Sequence, residues 1–348
     1  ALNNSSIVSV NDKSPSTNST GWAFINLTAN MNGSVAIVAV VGDSSARLNI
    51  TITGAGLANL PPSQPSVSTD KKYYRAGETI TATASGSTDP DGDPITYYYR
   101  FFDLNSDSTL RDWSTDNTYT VTSSEEGHII RIYAKACDSR GACGLENYTD
   151  VGVIKVIRIA PSADAYVNSC SPDNNFGYSS DLLCGVMSFP PTPPIYTQLE
   201  KGSTDLGYEI IDSKKCIYRT YIRFDISSVP IDAVVFKANL YLYKYSGSTG
   251  VQINVHRVLG DWRENTITWN NGPPFANSST NQSSPPNGNW MVWNVTADVQ
   301  GFVNGSYNNY GWCIRNDNEQ AANKIAYFYS KEYTTNRPYL EIEYAPKV

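Results

Sequence analysis

Histidine is nearly absent: His128 and His256 are the only two in 348 residues. Each lies in a strand-like run far from the other, so both read as structural residues rather than as a metal centre or a catalytic base. The chain has no Gly-x-Ser-x-Gly elbow, no His-Glu-x-x-His pair and no phosphate-binding glycine loop. That removes the usual signatures of serine hydrolases, zinc proteases and nucleotide-dependent enzymes. A carboxylate pair is the one acid–base route left. Scattered surface acids are the ordinary case, and the chain reads as a non-enzyme. Basic residues are few, 26 against 33 acidic, for a net charge of −7. Nucleic-acid binding needs clustered Lys and Arg, so the balance argues against that partner. No apolar run approaches the roughly 20 residues that span a bilayer. Nor is there a long apolar pattern of helical period.

What is there favours pleated sheet and export. Tyrosine is abundant, 24 against 10 phenylalanines, and Tyr, Thr, Val and Ile suit strands. The length allows two or three domains. The expected class is all-β, with three β-sandwich units in tandem. Eleven asparagines head Asn-x-Ser/Thr sequons: Asn3, Asn4, Asn18, Asn26, Asn32, Asn49, Asn147, Asn277, Asn281, Asn294 and Asn304. Composition alone gives roughly six. Six of the eleven fall in the first 50 residues and four between 277 and 304. Sequons accept glycan only on surfaces that pass through an export route. The expected setting is therefore extracellular or on the cell surface. Ala1 fits either a mature N-terminus or a fragment boundary.

Six cysteines occur, none spaced as Cys-x-x-C, which disfavours zinc and thioredoxin-like readings. In an oxidising compartment they pair. The expected pairs are Cys137 with Cys143, Cys170 with Cys184, and Cys216 with Cys313. The alternative is six buried thiols in a cytosolic protein.

Residues 1–57 read as part of an Ig-like β domain. Ala23, Ile25 and Leu27 alternate with Phe24, Asn26 and Thr28, and Leu48, Ile50 and Ile52 repeat the period of two. The run Gly21–Ala29 followed by Gly33–Ala39 resembles the C-terminal half of invasin-type bacterial Ig-like domains. About four strands are present where a sandwich needs about seven. Residues 58–65, with Pro61, Pro62 and Pro65, read as an extended linker. Residues 66–157 carry Gly86-Ser87-Thr88-Asp89-Pro90-Asp91-Gly92-Asp93 and, later, Ala136-Cys137-Asp138-Ser139-Arg140-Gly141. They resemble PKD-type Ig-like domains, in which the module is usually a non-catalytic spacer or adhesion unit. Residues 158–348 run through Ala163-Asp164-Ala165-Tyr166-Val167, Tyr221-Ile222-Arg223-Phe224-Asp225, Asp261-Trp262-Arg263-Glu264-Asn265 and Arg337-Pro338-Tyr339-Leu340. This series resembles the DNRLRE-type domain of disaggregatase-related archaeal and bacterial surface proteins. The resemblance implies a jelly-roll sandwich, and some members bind acidic polysaccharides. The departure is an insert, 186–215, containing Pro190-Pro191-Thr192-Pro193-Pro194, expected to be extended and exposed.

Two clusters carry candidate chemistry. Asp89, Asp91 and Asp93 alternate around Gly92, and the PKD resemblance brings Asp138 near them. Hard oxygen ligands in a tight turn suit calcium, the one cofactor the sequence suggests; the competing reading is a plain acidic turn. Trp290, Tyr307 and Tyr310 lie among the C-terminal sequons and are candidate sugar-stacking residues, while Trp293 and Trp312 read as core. Two functions follow. One is a glycosylated structural subunit of a filament, sheath or surface layer. Its partners are copies of itself, with Ser6–Val10 donated as a strand to a neighbour's incomplete first domain. The other is a polysaccharide-binding or adhesion module.

Overall fold

The computed structural model describes residues 8–10, 19–20, 27–29, 33–41, 44–52, 59–189, 214–320 and 323–348. These residues are overwhelmingly strand, with one α-helix, Thr296–Val303, and one short 3-10 turn, Ser123–Glu125. Packing divides the chain into two units. One comprises 1–66, 85–97 and 135–146; the other comprises 67–84, 98–134 and 147–348.

In the first unit, Gly33–Val41 and Ser44–Ile52 form an antiparallel hairpin that sets Ile37 opposite Leu48. Leu48 is 60% exposed. Val8–Val10 pairs with Leu27–Ala29, so the strand expected to be donated to a neighbour lies against its own chain. The proline-rich stretch is hydrogen-bonded at several points. Ser63 N donates to the Thr88 carbonyl (2.9 Å), and Gln64 Nε2 donates to that of Glu146 (2.7 Å). The bridge between Cys137 and Cys143 closes a turn at a Cα separation of 4.0 Å. Gly141 sits there at φ 94°, a conformation that glycine adopts without steric cost.

The second unit holds most of two smaller sheets. One has the order Thr118–Thr120, Thr79–Ser85, Ser66–Thr69; the other runs Tyr73–Tyr74, Asn147–Val153, Ile129–Asp138, Ile95–Asp103, Ser108–Ser114. Thr79–Ser85 buries every second residue, Ile80, Ala82 and Ala84. Phe101 of one sheet stacks on Tyr119 of the other, with ring centroids 5.5 Å apart. Ala84 N donates to Tyr99 Oη (3.1 Å) across the same gap.

The same unit contains a continuous ladder of eleven strands. From one edge it runs Lys155–Ile159, Tyr339–Ala345, Val234–Gly247, Lys324–Tyr329, Asp181–Phe189 and Lys214–Phe224. It continues through Trp312–Arg315 and Gln252–Val258 to Phe275–Ser283. Asn289–Asn294 also pairs with Val234–Gly247, and Pro161–Asn168 with Lys214–Phe224. The ladder folds over on itself. Trp293 Nε1 donates to the Ile253 carbonyl (3.0 Å), although their strands are far apart in the ladder. Trp293, Trp312, Leu240, Leu242, Phe328 and Phe224 fill the interior. The helix closes one end: Trp312 Nε1 donates to Asp298 Oδ2 (2.8 Å), and Gln300 bonds Val235 N and the Ala233 carbonyl.

Two of the three expected disulfides are corrected. Cys170 bonds to Cys216, not to Cys184. Asn168 lies opposite Tyr218, and continuing that antiparallel register two residues further brings Cys170 to Cys216. Cys184 and Cys313 are buried free thiols. Cys313 faces Tyr221 across the ladder, five residues beyond Cys216, or about 16 Å along the strand. Cys184 points into the main core and Cys313 into a separate cluster with Ala163, Ala165 and Trp262, so these two do not meet either.

Candidate carbohydrate-binding face

Strand Val234–Gly247 turns Leu240, Leu242 and Lys244 inward and leaves Tyr241, Tyr243 and Tyr245 half-exposed on the other face. Its neighbours do the same. Lys324–Tyr329 buries Ala326 and Phe328 and turns Tyr327 and Tyr329 outward. Asn289–Asn294 buries Met291 and Trp293 and turns Trp290 outward. Register then gathers the outward rings: Tyr241 lies opposite Tyr339, and Tyr243 opposite Trp290.

The tyrosines stand in parallel stacks. Tyr241 stacks on Tyr339 at 4.3 Å, Tyr245 on Tyr329 at 4.6 Å and Tyr329 on Tyr333 at 3.7 Å. Stacked rings spend their faces on one another, so what they offer outward is edges and hydroxyls. Trp290 is set crosswise, at 81° to Tyr241, 75° to Tyr243 and 70° to Tyr339. Among the described residues no ring lies parallel on its face. Polar groups flank the array. Tyr245 Oη donates to Asp181 Oδ1 (2.9 Å); burial and that carboxylate together raise the phenol's pKa. Arg158 lies over the Tyr339 ring (5.0 Å) and pairs with Glu341 (2.8 Å). The surface combines one aromatic platform with a field of hydroxyls, the pairing that sugar recognition calls for.

Of the aromatic residues expected from sequence, only Trp290 sits here. Tyr307 covers the Arg257 guanidinium (3.7 Å). Tyr310 packs beside the Trp262 cluster, where its carbonyl accepts from Trp262 Nε1 (2.8 Å). Both histidines are held in hydrogen bonds: His128 meets Asp103 at 2.8 Å, and His256 meets the Ala276 carbonyl and Asp317 at 2.9 Å each.

Asn49, Asn277, Asn281, Asn294 and Asn304 are exposed, and Asn147 is half-buried. Asn3, Asn4, Asn18, Asn26 and Asn32 lie outside the described residues, as does 190–213 of the insert. The flanks of that insert are paired strands, with Phe189 opposite Lys214.

The acidic turn gathers Asp89, Asp93 and Asp138, whose oxygens lie within 4.8 Å of one another. Asp91 stands apart: its Oδ2 accepts from Leu60 N (2.9 Å) and pairs with Arg140 (3.1 Å). Asp138 is buried, which raises its pKa, but hydrogen bonds from Asn59, Ala142, Arg140 and Gly141 outweigh this and hold it below the usual range. Asp89 Oδ2 and Asn59 Oδ1 are buried with no donor among the described residues. The oxygens suit a hard divalent cation, while Arg140, on Asp93 at 2.7 Å, already supplies part of the countercharge.

Residues 204–344 match carbohydrate-binding module family 96. They cover the three strands that carry Trp290, Tyr241 and Tyr329, together with Tyr339. This part of the chain is a carbohydrate-binding domain of β-sandwich type, a non-catalytic binding module. A solved structure described as "Structural basis for the promiscuous specificity of the carbohydrate-binding modules from the beta-sandwich super family" aligns with 82% of this chain and 97% of its own. The identity is 11% and the TM-score 0.29. No curated protein matches the chain.

Proposed function

We propose that the family 96 region binds an extended polysaccharide across its tyrosine-rich face, with Trp290 as the stacking platform and the surrounding phenols as hydrogen-bonding groups. The observation that carries this is the crosswise Trp290 ring among stacked tyrosines, inside the region that matches a carbohydrate-binding family. Truncating a central aromatic at a binding surface typically costs about 2 kcal/mol or more. Trp290→Ala should therefore weaken retention on insoluble or immobilised polysaccharides by roughly 30-fold. The far-UV spectrum and melting temperature should stay close to the parent's. Equal retention of parent and variant across neutral and acidic polysaccharides would sink the assignment.

A second reading, a subunit of an extracellular assembly, is favoured by Leu48, an exposed apolar residue on a two-stranded hairpin. Among the described residues that hairpin pairs with no third strand, and a two-stranded pair is marginal by itself, which favours a covering partner. Electron micrographs of native material decide it: regular polymers support the reading, and dispersed monomers remove it. Both readings call for a protein outside the cell, consistent with five exposed sequon asparagines and a sixth, Asn147, that is half-buried. Intact-mass analysis of native protein that gave the bare polypeptide would count against export.

A further inference from the structure

Asp164, in the middle of strand Pro161–Asn168, is 1% exposed. Its Oδ2 accepts from Lys331 N (2.8 Å). Its Oδ1 is buried with no donor among the described residues, and so is Oε2 of Glu332. Glu264 completes a group of three carboxylates whose oxygens all lie within 4.8 Å of one another. The scaffold is stiff. Glu264 Oε1 accepts from Asp164 N (2.8 Å). The Glu264 carbonyl is held by Asn175 Nδ2 (2.7 Å), and a Cβ on Gly177 would lie 2.2 Å from that carbonyl oxygen. This is backbone pinned around oxygen ligands, not a loose acidic surface.

Lys331 is the one cation of the group, 3.0 Å from Glu264 and in contact with Glu332. Three carboxylates and one ammonium leave two negative charges. Orphaned buried acceptors are costly, and burial together with the facing Glu332 pushes the Asp164 carboxyl upward. Two fillers satisfy two facing carboxylate oxygens: a shared proton, or a metal ion. The donor set is all oxygen, with neither His nor Cys in the group, which selects a hard cation over zinc or copper. We propose that Asp164, Glu264 and Glu332 hold a divalent cation, calcium by ligand type, that ties strand Pro161–Asn168 to the 259–274 loop and to the turn after Lys324–Tyr329. The ion neutralises the residual charge and uses both orphaned oxygens.

The test uses the full chain carrying Asp89→Asn and Asp138→Asn, so that the acidic turn contributes nothing. Equilibrium dialysis against calcium, with the chelator-stripped protein as reference, should find one bound ion per chain and a higher melting temperature when it is present. Asp164→Asn should lower calcium affinity by roughly tenfold or more and abolish the calcium-dependent rise. Its amide can donate to Glu332, so the variant should fold at least as well as the stripped parent. Glu332→Gln should behave likewise. Three results would overturn the proposal: no ion bound at millimolar calcium, binding unchanged in both variants, or a parent indifferent to calcium while Asp164→Asn is more stable under every condition. The last would mean that a shared proton fills the gap.

Discussion

Which way a side chain points decides what a cysteine can do. In sequence, Cys170 and Cys184 look like a short staple and Cys216 and Cys313 like a long one. Strand parity and register, which spacing alone does not reveal, send Cys184 and Cys313 to different interiors. Burial pushes both thiols up to about 12, so they should be inert. A thiol reagent should find no reactive group in the native protein and two after denaturation. The Cys170–Cys216 bridge spans 46 residues, and loop entropy puts its contribution at about 4 kcal/mol. Urea unfolding of the double Ser variant measures that, and an unchanged midpoint would contradict the pairing. Lys244 was legible only by parity: the alternation that turns Tyr241, Tyr243 and Tyr245 outward sets it on the inner face, and although its charge argues for the surface it is fully buried. Its ammonium reaches the Gly247 carbonyl (3.2 Å) and Asn287, and burial holds its pKa below 10.5. Between that depressed value and 10.5 the unfolded chain binds more protons than the folded one, so stability should rise with pH across the window. Lys244→Met should flatten the rise, as read from melting temperatures between about pH 7 and 10.

At the scale of the strand, the period of two was legible and the pairing was not. Leu240-Tyr241-Leu242-Tyr243 reads directly as a half-buried strand, and Trp293 and Trp312 read as core, where the structure places them at 0% and 1% exposure. The face that we propose binds polysaccharide escaped because its rings come from segments that only register unites: Trp290 opposite Tyr243, and Tyr339 opposite Tyr241. Tyr307 and Tyr310, chosen for their nearness in sequence to Trp290, follow a helix that carries them elsewhere. The acidic turn was legible except for Asp91, which the chain spends on Leu60 and Arg140. The insert offers a test at this scale. Because Phe189 already pairs with Lys214, replacing 190–213 by a two-residue turn should keep the fold and raise its stability by about 2 kcal/mol, through the smaller entropy of closing a shorter loop. A product that failed to fold would show that the insert holds these two strands together.

For the molecule as a whole, the first 57 residues and the rest raise different questions. Val8–Val10 is paired within its own chain, so a protein beginning at residue 12 should lose that pairing and expose the Leu27–Ala29 edge. If assembly depends on this segment, such a protein will not form ordered polymers, and regular filaments from it would exclude strand exchange as the linkage. The face around Trp290 carries a consequence of another sort. Asn294 lies on the same strand and, by parity, on the same side, four residues or about 13 Å away. A glycan there, three or four sugars long, reaches the platform that we assign to external polysaccharide. The protein's own coat would then compete with its ligand, and cells could set its grip on the surroundings through how completely that one asparagine is modified. Protein lacking the Asn294 glycan, made as Asn294→Gln so that Thr296 keeps its hydrogen bond from Ala238 N (2.9 Å), should hold polysaccharide more tightly than the fully decorated form.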